Sequence, residues 1–559
     1  MALTKVKGSV WDSDNNNLSA NVKDFGATGD GATDDTAAIQ LALDSTATDI
    51  YFPEGTYVCE NPLGVANSTA VLISTIANRT LRGPGILTAL TQVKKLLQIG
   101  GASTTVSLHV DGNDFIGYAV VVVAADSVVS DCLIYDLNGF TDWGAIAVHI
   151  DLDGIDAGAV VRDNVIKNIQ AVGDGTGGNG VGMCRAVLVQ SDTAQKSQVT
   201  ITGNYIEQVQ GEEGDCIVIA GGTTATPLTI PVLISNNAVR TWNRRAIKIA
   251  CNGVTVANNY LYNPLPGTLG TLQRVIDVTA GNNITITGNV LEQCYYQAQI
   301  VLYANSPQTS DNITISNNTI SDIGTTAGAN ALINCRTYGN NVVIQNNTIN
   351  CPTHADEAIH VTETTGVLIA GNTIATNDST WHLFTNCTGV RMAGNIFNGD
   401  AGYQSFYDIT TNAHVIDVTG GGRAVVLRNR DTMLSNGERI SSIQCEQNDA
   451  SAPATVMASV NFVAVGSGGS TSMTLNTGST SLPDVTAVTI GTAGTVDFVN
   501  TLSSDLTTDD KPFINYKATA DGDTTSALST LQTPSGTKTH IQVDINGVKH
   551  WITAWPVLA

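Results

Sequence analysis

Charge is scarce in this chain. Only 13% of its 559 residues are Asp, Glu, Lys or Arg, and aromatic residues make up 5%. Disorder is nevertheless excluded, because the apolar residues recur periodically. Positive charge is the scarcer sign, with 26 Lys and Arg against 49 Asp and Glu. The net charge of −23 argues against nucleic acid and anionic membrane as partners. It also disfavours a polyanionic ligand unless a local basic stripe reverses the average. No apolar run is long enough to span a bilayer, and the first residues, MALTKVKGSV, contain no apolar signal core. The expectation is synthesis in a cytoplasm without a signal peptide, and no membrane insertion. The ten cysteines are scattered, with no C-x-x-C pair. Zinc needs clustered ligands and disulfide scaffolds are shorter chains, so buried reduced thiols are expected. Spacing supports no metal and no cofactor; calcium on stacked carboxylates is the one metal alternative.

What the chain has in abundance is a repeated phrase. VTITGNYI (199–206) returns as VLISNNAV (232–239), VTVANNYL (254–261), ITITGNVL (284–291), ITISNNTI (313–320), VVIQNNTI (342–349), VLIAGNTI (367–374) and VRMAGNIF (390–397). The second residue of each pair falls at Asn204, Asn237, Asn259, Asn289, Asn318, Asn347, Asn372 and Asn395, about 27 residues apart on average. Period-2 alternation of Val, Ile and Thr is a half-buried strand. Asn suits a tight bend, because it tolerates a left-handed backbone and can hydrogen-bond its own main chain. An Asn recurring once per coil can stack on the Asn of the next coil. A unit this small cannot bury its apolar face alone, so the coils must stack. The fold class predicted is all-β, a parallel β-helix. Leucine-rich repeats would need a Leu skeleton and propellers longer blades. Earlier coils are less regular, with Asn113, Asp131 and Asn164 in the bends and a glycine-rich loop at 172–182.

Residues 21–60 begin with a Gly/Asp loop, Asp24 to Asp35, where Asp34 or Asp35 can cap a helix from about Thr36 to Asp44. Ile39, Leu41, Ala42 and Leu43 would form its apolar face, and two short strands flank the Pro53-Glu-Gly55 turn. This segment resembles the opening motif of the pectate-lyase-like β-helix superfamily, which includes bacteriophage tailspikes. The residues that carry the resemblance are Val22-Lys-Asp-Phe-Gly-Ala27, Gly29-Asp30-Gly31, Asp34-Asp35-Thr36 and Phe52-Pro-Glu-Gly-Thr-Tyr57. It implies a right-handed parallel β-helix whose first helix caps the open end, with the Asp residues ordering the loop. After residue 400 the Asn phrase stops. The strand-rich 425–559, with a hairpin loop at Gly466-Ser-Gly-Gly469, is similar to the C-terminal trimerisation modules of phage tail proteins. The organisation expected is an arm at 1–20 for attachment to the virion or an adaptor, the capped opening at 21–60, the β-helix with a glycan groove at 61–420, and a β-sandwich-like trimerisation domain at 421–559. The assembly expected is a homotrimer.

A second phrase precedes the Asn phrase in many coils: WGAIAVHI (143–150), CRAVLVQS (184–191), GDCIVIAG (214–221), RRAIKIAC (244–251), QRVIDVTA (273–280) and DEAIHVTE (356–363). Simple alternation puts Ala147, Leu188, Val218, Lys248, Asp277 and His360 on one solvent face, kept shallow by Ala145, Ala186, Cys216, Ala246 and Ala358. Charges gather beside it, at Asp142, Arg185, Glu212, Glu213, Asp215, Arg244, Arg245, Arg274, Asp356 and Glu357. Stacked about 4.8 Å apart, they would make a line suited to an extended, hydroxyl-rich polymer. Trp143, Trp242, Tyr295 and Tyr296 would add planes for sugar rings, and Arg245, Arg274, Lys248, Glu357 and His360 would bind substrate.

The resemblance implies action on polysaccharides, and for tailspikes the binding or cleavage of a bacterial surface glycan. Glycoside hydrolysis needs two carboxyls, about 5–5.5 Å apart for retention or about 6.5–9.5 Å for inversion. Gly211-Glu-Glu-Gly-Asp215 is the densest acid cluster, which assigns Glu213 as general acid and Asp215 as base, with Glu212 as substitute. The structural alternative is that Asp215 simply pairs with Arg245. Asp356 and Glu357 form a second acid site, and His149, His360 and His382 are candidates for proton transfer. The function expected is that of a virion tailspike acting at the host surface as an endo-glycoside hydrolase. A lyase using Arg245, Arg274 or Lys248 on a uronate polymer is the alternative, and a receptor-binding spike without catalysis is the third reading.

Overall fold

The computed structural model describes residues 19–60, 69–139, 144–171, 182–211, 213–223, 226–264, 274–294, 298–304, 309–321, 331–354, 357–376 and 382–397. Beyond these it describes the strands at 415–416, 439–447, 455–465, 470–479, 482–490, 496–497, 539–545 and 548–554. The chain divides into two compact units, 1–424 and 425–559.

In the first unit every Asn phrase makes a corner between two short strands, and its two central residues divide the task. The first takes the left-handed backbone, with φ of 57° at Asp163, 70° at Gly203, 55° at Asn236 and 68° at Gly288. The second turns its amide inward. At Asn289, Oδ1 accepts from the backbone N–H and from Nδ2 of Asn259, at 3.0 and 2.9 Å. Its own Nδ2 donates to Asn318 Oδ1 at 2.9 Å and to the Val256 carbonyl at 3.0 Å. The same exchange runs from Asn164 through all eight predicted positions to Asn395. Buried amides are thereby satisfied coil by coil. In the coil before Asn164 the rung is Cys132, whose backbone N–H donates to Asn164 Oδ1. Asp131, expected in the bend, is the left-handed residue there.

The strands on either side of the corner pair in parallel with their counterparts in the next coil, for example Ile201 with Ile234 and Ile206 with Val239. Together they form a 27-stranded sheet folded along the Asn line. Early in the stack the strand Thr105–Asp111 spans the fold, pairing through Thr105 and Val106 on one side and His109 to Asp111 on the other. The remaining face is a separate 12-stranded sheet that reaches from Leu72–Ser74 to His382–Thr385, also in parallel. Inward Val, Ile, Leu and Ala from all faces build one continuous core. The parallel β-helix read from the phrase is the architecture observed.

The helix covers Thr36–Asp44. Asp34 Oδ1 accepts the Thr36 N–H at 3.0 Å, and Asp35, buried, accepts the N–H groups of Thr28 and Gly29. Asp30 accepts from Ala32 and Thr33. These carboxylates order the loop, as the resemblance implies. Ile39, Ala42 and Leu43 are buried, but Leu41 is exposed; two residues from both Ile39 and Leu43, it lies about 200° round the helix from them. The side chains of nine of the ten cysteines are described, and all nine are buried thiols outside any disulfide. In the second unit, five antiparallel strands between 439 and 497 form one sheet, and 539–545 pairs with 548–554 as a hairpin. The expected loop at 466–469 lies outside the described residues, as does the arm up to residue 18.

Candidate active-site face

The strands of the 12-stranded sheet depart from strict alternation, and this determines the site. Ala147 and Val148, Ala186 and Val187, Cys216 and Ile217, Ala246 and Ile247, and Val275 and Ile276 are adjacent pairs that all enter the core. Two successive inward residues leave positions three apart on the outer face. One outer row therefore reads Tyr118, Ile146, Arg185, Asp215, Arg245 and Arg274. The row beside it reads His149, Leu188, Val218, Lys248, Asp277, Val301, Asn334 and His360. This corrects the expected solvent face in two respects. Ala147 lies in the core and His149 takes its place, while Ala145, Ala186, Cys216, Ala246 and Ala358 are core residues rather than the floor of a groove.

The two rows bring opposite charges together. Arg245 Nη1 lies 3.1 Å from Asp215 Oδ1, and its Nε lies 2.5 Å from Asp277 Oδ2. Arg274 Nη1 reaches Asp277 Oδ1 at 2.8 Å. Both Asp side chains are 0% exposed and that of Arg245 is 6%. Burial opposes the Arg245 charge, but Asp215 and Asp277 outweigh it and hold the guanidinium above its ordinary pKa. Arg185 stands beside Asp215 in register. Its Nε meets no hydrogen-bond acceptor among the described residues, and burial lowers its pKa. Lys248 is also lowered, first by burial and then by Arg245 and Arg185, against the pull of Asp215. Next to this chain Ile146, Leu188 and Val218 form a small apolar cluster with Tyr118 and Met183 packed on it.

Glu213 lies at the edge of the chain, paired with Arg244 and with 31% of its side chain exposed. Burial would raise its pKa, yet Arg244, Lys248 and Arg185 together bring it below the ordinary value. A carboxyl drawn below its ordinary pKa is better suited to a base or nucleophile than to the general acid expected from sequence. Asp215 forms the ion pair with Arg245 that was the structural alternative. These eight side chains (Arg185, Glu213, Arg244, Asp215, Arg245, Lys248, Asp277 and Arg274) carry five positive and three negative charges, a net of +2 in an acidic protein.

Other candidates stand apart. Trp242 is 5% exposed and belongs to the core, so it offers no ring to a sugar; its strand, Ala238–Trp242, belongs to the folded sheet. His360 is on the correct face, five strands along from Glu213–Gly221, about 24 Å at the usual strand spacing. Its Nε2 meets Thr362 Oγ1 at 2.9 Å, and burial lowers its pKa. Glu357 precedes that same strand, so the second acid site is not brought to the first. His149 and His382 are buried, which lowers both to about 4. Glu212, Trp143, Tyr295, Tyr296, Asp142 and Asp356 lie outside the described residues. Among the described residues no cluster of His, Cys, Asp and Glu could hold a metal ion. Sequence reasoning placed Asp277 on this face but missed its role as the shared acceptor of two arginines.

Residues 19–296 match the family described as rhamnogalacturonase A/epimerase, pectate lyase-like. A probable glucan endo-1,3-beta-glucosidase of Arthroderma benhamiae is 50% identical over 56 residues. That match covers 8% of this chain and 6% of the fungal protein. The Yersinia enterocolitica family 28 exopolygalacturonase is similar in structure at 15% identity and a TM-score of 0.39, covering 70% of this chain and 79% of its own. The Streptococcus pneumoniae surface protein and adhesin PfbA is similar at 15% identity and a TM-score of 0.46, covering 68% and 100%. Residues 19–296 are thus similar to the pectate-lyase-like family, whose name agrees with the parallel β-helix observed.

Proposed function

We propose that this protein is a bacteriophage tailspike that binds a bacterial surface polysaccharide (capsule, exopolysaccharide or O-antigen) and shortens it by endo-glycoside hydrolysis during adsorption. The observation that carries the reading is the buried chain Asp215–Arg245–Asp277–Arg274 on an outer face of the β-helix. Ion pairs this deep add little stability over apolar replacements. Their presence on an outer face is best accounted for by a need to hold charge in fixed positions for a ligand. The family match supports a carbohydrate ligand, and the fungal relative's name, a glucanase, agrees with hydrolysis. In this reading Glu213 acts as base or nucleophile, while Arg245 fixes Asp215 and Asp277. Glu212 remains the candidate for the second carboxyl.

The virion role, with a homotrimer built through 421–559 and attachment to a tail or adaptor protein through 1–20, rests on the sequence resemblance. A second reading, a lyase on a uronate polymer, is favoured by one observation. Lys248 has a lowered pKa within a face of net charge +2, which suits both proton abstraction and an acidic substrate. Incubation with purified surface polysaccharides tests these readings, with Glu213→Gln and Lys248→Met run alongside. Loss of new reducing ends in Glu213→Gln alone supports hydrolysis, whereas ultraviolet-absorbing unsaturated ends that vanish in Lys248→Met support the lyase. Tight binding with no products in the wild type would leave a receptor-binding spike.

A further inference from the structure

The strand that follows each Asn corner was read from sequence only as a second apolar start, yet its outer face carries an ordered aromatic strip. Two rows run side by side along the stack. One reads Val165, Tyr205, Ala238, Tyr260 and Val290, so a tyrosine alternates with a small or branched apolar residue. The other reads Lys167, Glu207, Arg240, Tyr262 and Glu292, with charges alternating in sign.

The side chains hold one another in place. The Arg240 guanidinium rests 5.9 Å from the Tyr260 ring centre and 5.4 Å from that of Tyr262. The two rings are parallel within 9°, with centres 6.2 Å apart. Tyr260 Oη donates to Glu292 Oε2 at 2.8 Å. Lys167 lies 5.1 Å over the Tyr205 ring and 3.5 Å from Glu207. All of these side chains are half-buried, so each ring is oriented yet reachable.

We infer that this strip is a second binding site, distinct from the charged face of the 12-stranded sheet, and that it takes an uncharged saccharide chain. Three features select that ligand. Tyr205 and Tyr260 are two coils apart, about 9.6 Å at the usual strand spacing, close to the length of two linked pyranose rings. Sugar C–H faces stack on such rings while phenol and carboxylate groups meet the hydroxyls. The charges cancel, with Lys167 and Arg240 against Glu207 and Glu292, so the strip offers no net attraction to a polyanion. The pinned rings also cost little further ordering on binding. A second copy of this chain fits less well, because the centres of protein interfaces are depleted in charged residues. The inference rests on the saccharide reading above for the class of ligand, but not on cleavage.

The test is binding of the full chain to an array of neutral and acidic bacterial polysaccharides, with the double variant Tyr205→Ala/Tyr260→Ala. Uncharged glycans should be retained with little dependence on salt, and the double variant should weaken them by at least about tenfold. Tyr205→Phe/Tyr260→Phe, which keeps both rings, should retain most of the binding, and thermal unfolding checks that each variant is folded. Retention of acidic glycans alone, or equal binding by wild type and the folded Ala variant, would overturn the inference. A change of oligomeric state in the Ala variant would also overturn it, by showing the strip to be a contact between chains. Absence of shortened products bears only on the charged face, so the two proposals fail separately.

Discussion

Replacing Asn289 by Ala should destabilise the stack around it far more than removing an equivalent exposed amide. Asn289 is fully buried, and its Oδ1 is the acceptor for both the main-chain N–H and the Nδ2 of Asn259. The substitution orphans the Asn259 main-chain N–H, while the Asn259 Nδ2 keeps the Ile234 and Ala257 carbonyls at 2.9 and 3.1 Å; it also removes the donations to Asn318 Oδ1 and the Val256 carbonyl. At roughly 1–3 kcal/mol for the buried N–H left unpaired and about 1 kcal/mol for each of the other amide bonds lost, the local cost is about 3–5 kcal/mol. Asn289 has no left-handed backbone, so Ala adds no strain there. A matched control lies on the surface, where Asn283, Asn312 and Asn341 form an exposed ladder with amide contacts of 3.0 and 3.1 Å. Water replaces those bonds, and Asn312→Gly, which suits the left-handed φ of 59°, should cost less than about 1 kcal/mol. Native-state hydrogen exchange over residues 254–261 reads the difference locally. Protection there should fall by about a hundredfold or more in Asn289→Ala, and little in Asn312→Gly. Equal loss in both variants would refute the claim that buried amide pairing holds the corner.

The pH dependence has a definite sign. Burial lowers His149 and His382 to about 4 from 6.5, so between those values the unfolded chain binds protons that the folded chain does not. Their contribution is complete above pH 6.5 and declines as the pH falls towards 4, by at most about 1.4 kcal/mol per pH unit for each imidazole. Urea midpoints at pH 7.5 and 5 check this, and a midpoint that rises on acidification contradicts it. Arg245→Ala strands Asp215 and Asp277 without their shared cation and should cost about 3–5 kcal/mol. Replacing the four linked residues together, Arg245→Leu/Asp215→Leu/Asp277→Leu/Arg274→Leu, should recover much of that loss in denaturant melts. Thiol titration of the folded protein should label none of the nine cysteines with described side chains within the dead time, with labelling complete only in denaturant; rapid labelling of any of the nine contradicts their burial.

The architecture was legible because the Asn phrase carries corner chemistry and strand periodicity together. What the phrase could not show was the division between its two residues, since Asn can serve either as left-handed residue or as rung. Asn236 and Asn237 do one each. The site was legible in part. Charges at 185, 215, 245 and 274 were found beside the expected face rather than on it, because strict alternation cannot anticipate two successive inward residues. The signal was present in the pairs Ala-Val, Cys-Ile, Ala-Ile and Val-Ile, which separate polar positions three apart. Trp242 was misread because an aromatic residue in a polar neighbourhood suggests a platform, whereas this one ends a strand and points into the core. The pull of Arg244 on Glu213 was not legible, because a sequence shows a carboxyl but not the arginine that faces it.

The central claim is that the charged face serves chemistry on a polysaccharide, and mass spectrometry of the products tests it most directly. Purified surface polysaccharide incubated with the wild type should yield a ladder of oligosaccharides, each carrying one added water, and the ladder should be absent with Glu213→Gln. A ladder lacking that water would mean elimination and favour Lys248. Intact polymer from every glycan that the protein binds would contradict the account and leave the face with a binding role alone.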